Sequence, residues 1–156
     1  MMKPFRKIVI SDTSCLIALE RIGLPDLLSQ VFDQIMTTPE VAAEFGKPLP
    51  QGITIRPVIN KKLQLELETI LDLGESSAIA LAVETPDSYL LIDEYLGRRV
   101  AKQYDLDLTG TVGVLLYAKE ENVIPAVKPY LEQLRQTGFR MSQSLVLDVL
   151  KDAGEF

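Results

Sequence analysis

The chain has no histidine, no tryptophan and a single cysteine. It also has no apolar run near the roughly 18 residues that a membrane-spanning helix requires. Without histidine, Ser-His-Asp and Cys-His triads, zinc proteases of the His-Glu-x-x-His kind and nucleases that use histidine as acid and base are all excluded. Cys15, standing alone, can form no internal disulfide and cannot contribute to a zinc-binding cysteine cluster. Any chemistry near neutral pH must rest on carboxylates, lysine, tyrosine, hydroxyls or a bound cofactor. The opening Met1–Lys7 is basic, but the apolar stretch after it, Ile8-Val9-Ile10, is stopped at once by Ser11 and Asp12. A secretory signal would need a longer apolar segment and a small-residue cleavage site, so a cytoplasmic protein with no membrane partner is expected.

What is present suits one compact domain over residues 1–156: the apolar share is 47% and the charged share 24%. The net charge is −6 and the pI lies near 4.7, which at first argues against a nucleic-acid partner. Carboxylates that coordinate divalent cations lose part of their charge, however, and the field beside them can be locally positive. Net charge therefore does not choose the partner.

The patterning predicts strands over 7–11, 34–37, 53–57, 89–92 and 107–109. Between them lie helical segments over 13–21 and 25–31, a helix opened by Thr38-Pro39-Glu40, and an amphipathic helix over 60–71 capped by Asn60. A helix over 75–84 opened by Gly74 follows, then helices over 94–104, 111–121, 125–137 and 142–152. Pro57 confines its strand to an edge, whereas the continuous run Tyr89-Leu90-Leu91-Ile92 suits a central parallel strand. Short strands alternating with helices predict an α/β fold, with a central, mostly parallel sheet of about four or five short strands covered on both faces.

In an open parallel sheet, functional groups collect at the carboxyl ends of the strands. Asp12 and Asp93 each end an apolar strand. Glu44 lies on the helix after the second strand, and Glu75 in the first turn of an apolar helix. Each has a structural alternative. Asp12 and Asp93 precede helices and could cap them, worth about 1 kcal/mol each. Glu75 favours a helix dipole, and Glu44 could be a solvated residue, although Glu40 at i−4 makes that arrangement slightly repulsive. Together, converging carboxylates repel unless a cation or protonation offsets them. Hard cations such as Mg2+ or Mn2+ select oxygen donors, and such a site can activate water in phosphodiester cleavage without histidine.

Five segments carry a family resemblance: Ser11-Asp12-Thr13-Ser14-Cys15-Leu16-Ile17, Thr38–Phe45 with Glu44, Leu73-Gly74-Glu75 opening an alanine-rich helix, Leu91-Ile92-Asp93-Glu94 followed by Gly97-Arg98-Arg99-Val100-Ala101, and Gly110-Thr111-Val112-Gly113-Val114-Leu115. In this order and spacing they resemble the motifs of the PIN-domain superfamily, including VapC-like ribonuclease toxins. The resemblance implies a PIN-like α/β/α sandwich and a metal-dependent endoribonuclease, often the toxin of a toxin–antitoxin pair. Asp12, Glu44, Glu75 and Asp93 would be its catalytic, metal-holding acids, with Glu94 a further candidate beside or in place of Asp93. Two positions depart from the pattern. Ile92 stands where threonine or serine is common, and the aspartate that some members carry near the Gly-Thr segment is missing unless Asp107 serves.

Ser14 and Thr111 are candidate hydroxyls for orienting a carboxylate or water; capping is the alternative. Arg98, Arg99 and Lys102 could receive RNA phosphates or be a solvated helix face. Cys15 reads as an inert buried thiol, and the tyrosines as packing residues. The last helix either completes the core or forms part of a homodimer surface. The leading reading has RNA as substrate, with a small antitoxin and a second copy of the chain as partners. The alternative is a catalytically inactive PIN-fold module that binds RNA or protein. A phosphoacceptor receiver domain lacks its strand-end lysine, and a nucleotide-binding domain lacks a glycine-rich loop after the first strand.

Overall fold

The computed structural model describes residues 8–156. The basic opening segment, and Lys7 as the first residue of the expected strand, lie outside the described residues. The chain alternates strands and helices: β1 (Ile8–Ser11), α1 (Thr13–Arg21), α2 (Leu27–Val31), β2 (Gln34–Thr37), α3 (Pro39–Phe45), β3 (Ile53–Ile55), α4 (Lys61–Leu67) and α5 (Leu73–Val83). There follow β4 (Ser88–Leu91), α6 (Tyr95–Gln103), β5 (Leu108–Thr109), α7 (Thr111–Glu120), α8 (Lys128–Gln136) and α9 (Gln143–Asp152). The strands form one five-stranded sheet in the order β3-β2-β1-β4-β5, and every pairing is parallel. The expected PIN-like α/β/α sandwich is present, with a sheet that is wholly rather than mostly parallel among the described residues.

Alternation along the strands divides the core. Val9, Ile35, Tyr89 and Leu91 point into one apolar cluster with residues of α1, α2, α7, α8 and α9. Ile8, Ile10, Met36, Leu90 and Ile92 point into a second cluster with α4, α5 and α6. Because strand side chains alternate with period two, a sheet apolar on both faces must be covered on both. The third strand is an edge strand as expected, pairing only with β2 among the described residues, but it stops at Ile55 and leaves Pro57 outside it.

Sequence signals set most boundaries. Thr38, Asn60 and Ser142 accept backbone N–H bonds at the starts of α3, α4 and α9, as N-caps do. Two expectations need correction. The helix begun by Asn60 stops at Leu67 rather than near residue 71, in a chain reversal that leads to Asp72. The next helix is opened by Asp72, which accepts the N–H of Glu75 at 2.8 Å, and not by Gly74. Tyr117 stacks on Phe32 in the core, but Tyr95 is 74% exposed and does not pack there.

The C-terminus is tied down by one carboxylate. Glu155 accepts the N–H groups of Val127 and Lys128 at the start of α8, at 2.8 and 3.0 Å, and a bond of 2.9 Å from Lys119 of α7. Burial opposes its charge, but the Val127 N–H, Lys119 and the Lys128 N–H outweigh burial and hold the carboxyl below its ordinary value. A depressed folded pKa means stability that is full above the unfolded value of about 4.3 and lost as pH falls through the folded one. Glu155→Gln is expected to lose about 1–3 kcal/mol at neutral pH. In thermal melts the gap from the parent should be constant above about pH 5 and narrow below pH 4. An unchanged gap at low pH would contradict the assignment.

Candidate functional site

Parallel pairing delivers the first acids to one edge. Beyond the ends of β1 and β4, the Asp12 N–H donates to the Leu91 carbonyl at 3.0 Å, so both chains leave the sheet together. Asp12 occupies the N-cap position of α1 but makes no side-chain cap bond. Its side chain is instead buried, at 2% exposure, and Oδ1 has no hydrogen-bond partner among the described residues. The Ser14 hydroxyl lies 3.5 Å from Oδ2.

Hydroxyls hold the neighbouring elements against this edge. Thr37 at the end of β2 donates to the Ser11 carbonyl at 2.7 Å, and Thr38 shares a 2.6 Å bond with Ser77 of α5. That link ties the start of α3 to α5. Glu44 of α3 lies over Gly74: a Cβ on Gly74 would stand 2.8 and 2.9 Å from the Glu44 carboxylate oxygens. Glycine at this position gives the carboxylate room beside Glu75. Glu40 turns away to the α4 side, where its Oε2 accepts a 2.6 Å bond from Gln64 with Lys61 at 3.8 Å, while its buried Oε1 has no partner among the described residues.

Glu75 is buried, and its Oε2, like Asp12 Oδ1, lacks a partner. Gly97 of α6 makes space for it, because a Cβ there would come within 2.7 Å of Oε2 and 2.6 Å of Ile92 Cδ1. Burial pushes the Asp12 carboxyl up to about 7; the Thr13 N–H pulls it back, while the charges of Asp72, Glu44 and Asp93 raise it. Burial also raises Glu75, assisted by Asp72, Asp12 and Glu94. Asp12, Glu44, Asp72, Glu75, Asp93 and Glu94 therefore form one electrostatically coupled group.

Asp72 is the member the sequence reading overlooked. The spacing Asp72-x-x-Glu75 is that of a helix-opening pair and could have revealed it.

Asp93 sits differently. It does not cap α6, whose N-cap is Glu94, a residue that makes no side-chain cap bond and is exposed. Asp93 Oδ1 accepts the Thr111 N–H at 2.8 Å and Oδ2 the Thr111 hydroxyl at 2.7 Å, so Asp93 caps α7 from outside. Gly110 permits this, because a Cβ there would collide with Oδ1. Burial raises the Asp93 carboxyl, against the opposing pull of Thr111 and Arg98. Arg98 donates to the Ile92 carbonyl at 2.9 Å and buttresses the acid. The Arg99 guanidinium lies 5.8 Å from the Tyr95 ring centroid, and Lys102 is exposed. Cys15 is fully buried; burial, then Asp93, push its thiol above the ordinary range, so it is inert at neutral pH.

Among the described residues, no three acidic, cysteine or histidine side chains are gathered into a ready-made metal cage. The chemistry of the group nonetheless fits a hard divalent cation. Its donors are all carboxylate oxygens, two buried ones have no partner, and the acids raise one another's proton affinity.

A parallel α/β/α sandwich with acids gathered at the carboxyl edge of its sheet is a nuclease-type fold. Residues 8–155 match a family model described as a PIN domain, and the chain belongs to that family. PIN-domain proteins are generally nucleases, and they typically use divalent metals and bind RNA. No curated protein and no solved structure matches the chain.

The raised Asp12 pKa has a direct consequence for stability. In the metal-free protein the folded Asp12 keeps its proton above the unfolded pKa of about 3.9, so ionisation opposes folding increasingly as pH rises from about 4 to 7. Asp12→Asn is therefore expected to melt higher than the parent at pH 8 in chelator, with the difference vanishing near pH 4. Gly74→Ala should leave the melting temperature within a few degrees, since the displaced atoms are the mobile end of Glu44. It should nevertheless weaken Mn2+ binding in calorimetry, and unaltered affinity would remove Glu44 from the site.

Proposed function

We propose that this chain is a divalent-metal-dependent endoribonuclease, the toxin of a toxin–antitoxin pair. Asp12, Glu44, Glu75 and Asp93 would hold Mg2+ or Mn2+, with Glu94 joining beside Asp93. The observation that carries the reading is the pair of buried carboxylate oxygens, Asp12 Oδ1 and Glu75 Oε2, left without partners in the mutual field of several acids. Burying such groups is costly unless a ligand or proton answers them.

When bound, the ion supplies an activated water and offsets charge on the phosphodiester oxygens. The remaining work falls to the chain. Asp12, Glu44 and Glu75 present oxygens from three elements that the Thr37 and Thr38 hydroxyls lock together. Thr111 and Arg98 fix Asp93 and its backbone, so that carboxylate has little freedom to reorient. Ser14 orients Asp12.

No helix among the described residues is long and apolar enough to cross a membrane. A cytoplasmic site of action, a small antitoxin and a homodimer accompany the toxin reading. Exposed Ile59, Leu65 and Ile70 supply apolar surface for such contacts.

The alternative, a PIN fold that binds RNA or protein without cutting, draws on Asp93, both of whose oxygens are engaged by Thr111. One experiment separates the two. The purified chain should cleave RNA in Mn2+ or Mg2+ and stop on chelation, and Asp12→Asn should reduce cleavage to the chelated level with the circular-dichroism spectrum unchanged. Equal cleavage by the mutant and the parent would falsify the assignment. RNA binding without turnover or metal uptake would establish the module.

A further inference from the structure

Three adjoining cavities, of about 490, 280 and 550 Å3, open beside the acidic group, and all three have Asp93 and Phe139 in their walls. Arg140 borders the largest and the 490 Å3 cavity. Arg21 and Ser14 border the smallest. The far wall of this continuous cleft is thus the turn between α8 and α9, in which none of the motif residues falls.

The backbone sets that turn. Gly138 takes a left-handed φ of 88°, its N–H bonds to the Arg135 carbonyl at 3.0 Å, and the Phe139 N–H reaches the Leu134 carbonyl at 3.2 Å. These paired bonds are a Schellman closure, which needs a residue tolerant of positive φ and places an apolar side chain just after it. Phe139 is therefore delivered to a defined position, partly packed on the core yet bordering all three of these cavities. The next residue, Arg140, is exposed, and no ion pair among the described residues engages it.

A polyanion approaching a cluster of carboxylates needs cations at its side. Arg98 is committed to the Ile92 carbonyl, and Arg99 and Lys102 lie outside these cavity walls. Among the described residues, Arg140 and Arg21 are the guanidinium groups left facing the cleft. An aromatic ring beside them offers a base a stacking surface, and arginine matches a phosphate bidentately. Resting on the endoribonuclease reading above, we infer that the α8–α9 turn forms a single-stranded RNA subsite, in which Phe139 stacks on a base next to the scissile phosphate and Arg140 holds a flanking phosphate.

The test uses the full chain carrying Asp12→Asn, so that RNA is not consumed, in Mg2+ with a fluorescein-labelled, unstructured oligoribonucleotide read by anisotropy. Adding Phe139→Leu, which keeps the apolar contact of the closure, should weaken binding about tenfold. An oligonucleotide abasic at the stacked position should be bound equally with and without Phe139→Leu. Arg140→Ala should lower the slope of log affinity against log salt by about 0.7, the contribution of one phosphate contact on a single strand. Should Phe139→Leu fail to fold, the salt slope of the exposed Arg140→Ala decides. Binding that neither substitution alters overturns the subsite and leaves the nuclease reading in place, since cleavage by the parent is measured separately. A parent that neither binds nor cuts RNA overturns both.

Discussion

Like charges forced together in a poorly solvated place are the constraint around which this molecule is arranged. Asp12 and Glu75 are buried side chains, each with an oxygen that no described residue satisfies, and Asp72, Glu44, Asp93 and Glu94 bear on them electrostatically. Such a cluster costs the fold free energy in the absence of a cation or a proton. The apolar packing on both faces of the sheet has to supply enough stability to tolerate it.

The scaffold meets the constraint with rigid, short-range devices. Parallel β1 and β4 leave the sheet hydrogen-bonded to each other, and the hydroxyls of Thr37, Thr38 and Ser77 tie β2, α3 and α5 to the same edge. Glycines stand where backbone and carboxylate must approach. Gly74 lies under Glu44, Gly97 beside Glu75 and Gly110 against Asp93, and a methyl group at any of these would intrude on the acid. Thr111 then donates its N–H and hydroxyl to Asp93, which caps α7. The Gly-Thr pair is thus explained by the space and hydrogen bonds that one carboxylate requires. The C-terminal helices complete the arrangement, for the Glu155 latch anchors the end of the chain to α7 and α8, and the closure of α8 sets Phe139 and Arg140 opposite Asp93.

Much of the fold was legible in the residues, because its signals are local. Short apolar runs mark the strands, and Thr38, Asn60 and Ser142 mark helix starts. Local signals are ambiguous at one junction: Asp72 and Gly74 both suit a helix start and the structure uses Asp72, while the apolar pattern after Asn60 continues past the helix end at Leu67.

By itself the sequence determined the chemical vocabulary: no histidine, a lone cysteine, and acids at the ends of apolar strands, which remove histidine and cysteine-cluster chemistry and bring carboxylates forward. It also determined a parallel sheet covered on both faces, since periodicity and turn residues act within a few positions of one another. Only the tertiary structure decided what each acid does. Asp12 and Glu75 are left with unsatisfied oxygens, Asp93 is committed to Thr111, and Asp72 joins the group. It likewise turned Arg98 inward and brought Phe139 and Arg140 to the cleft. Burial and electrostatic coupling depend on which distant segments meet, and no local pattern encodes that meeting.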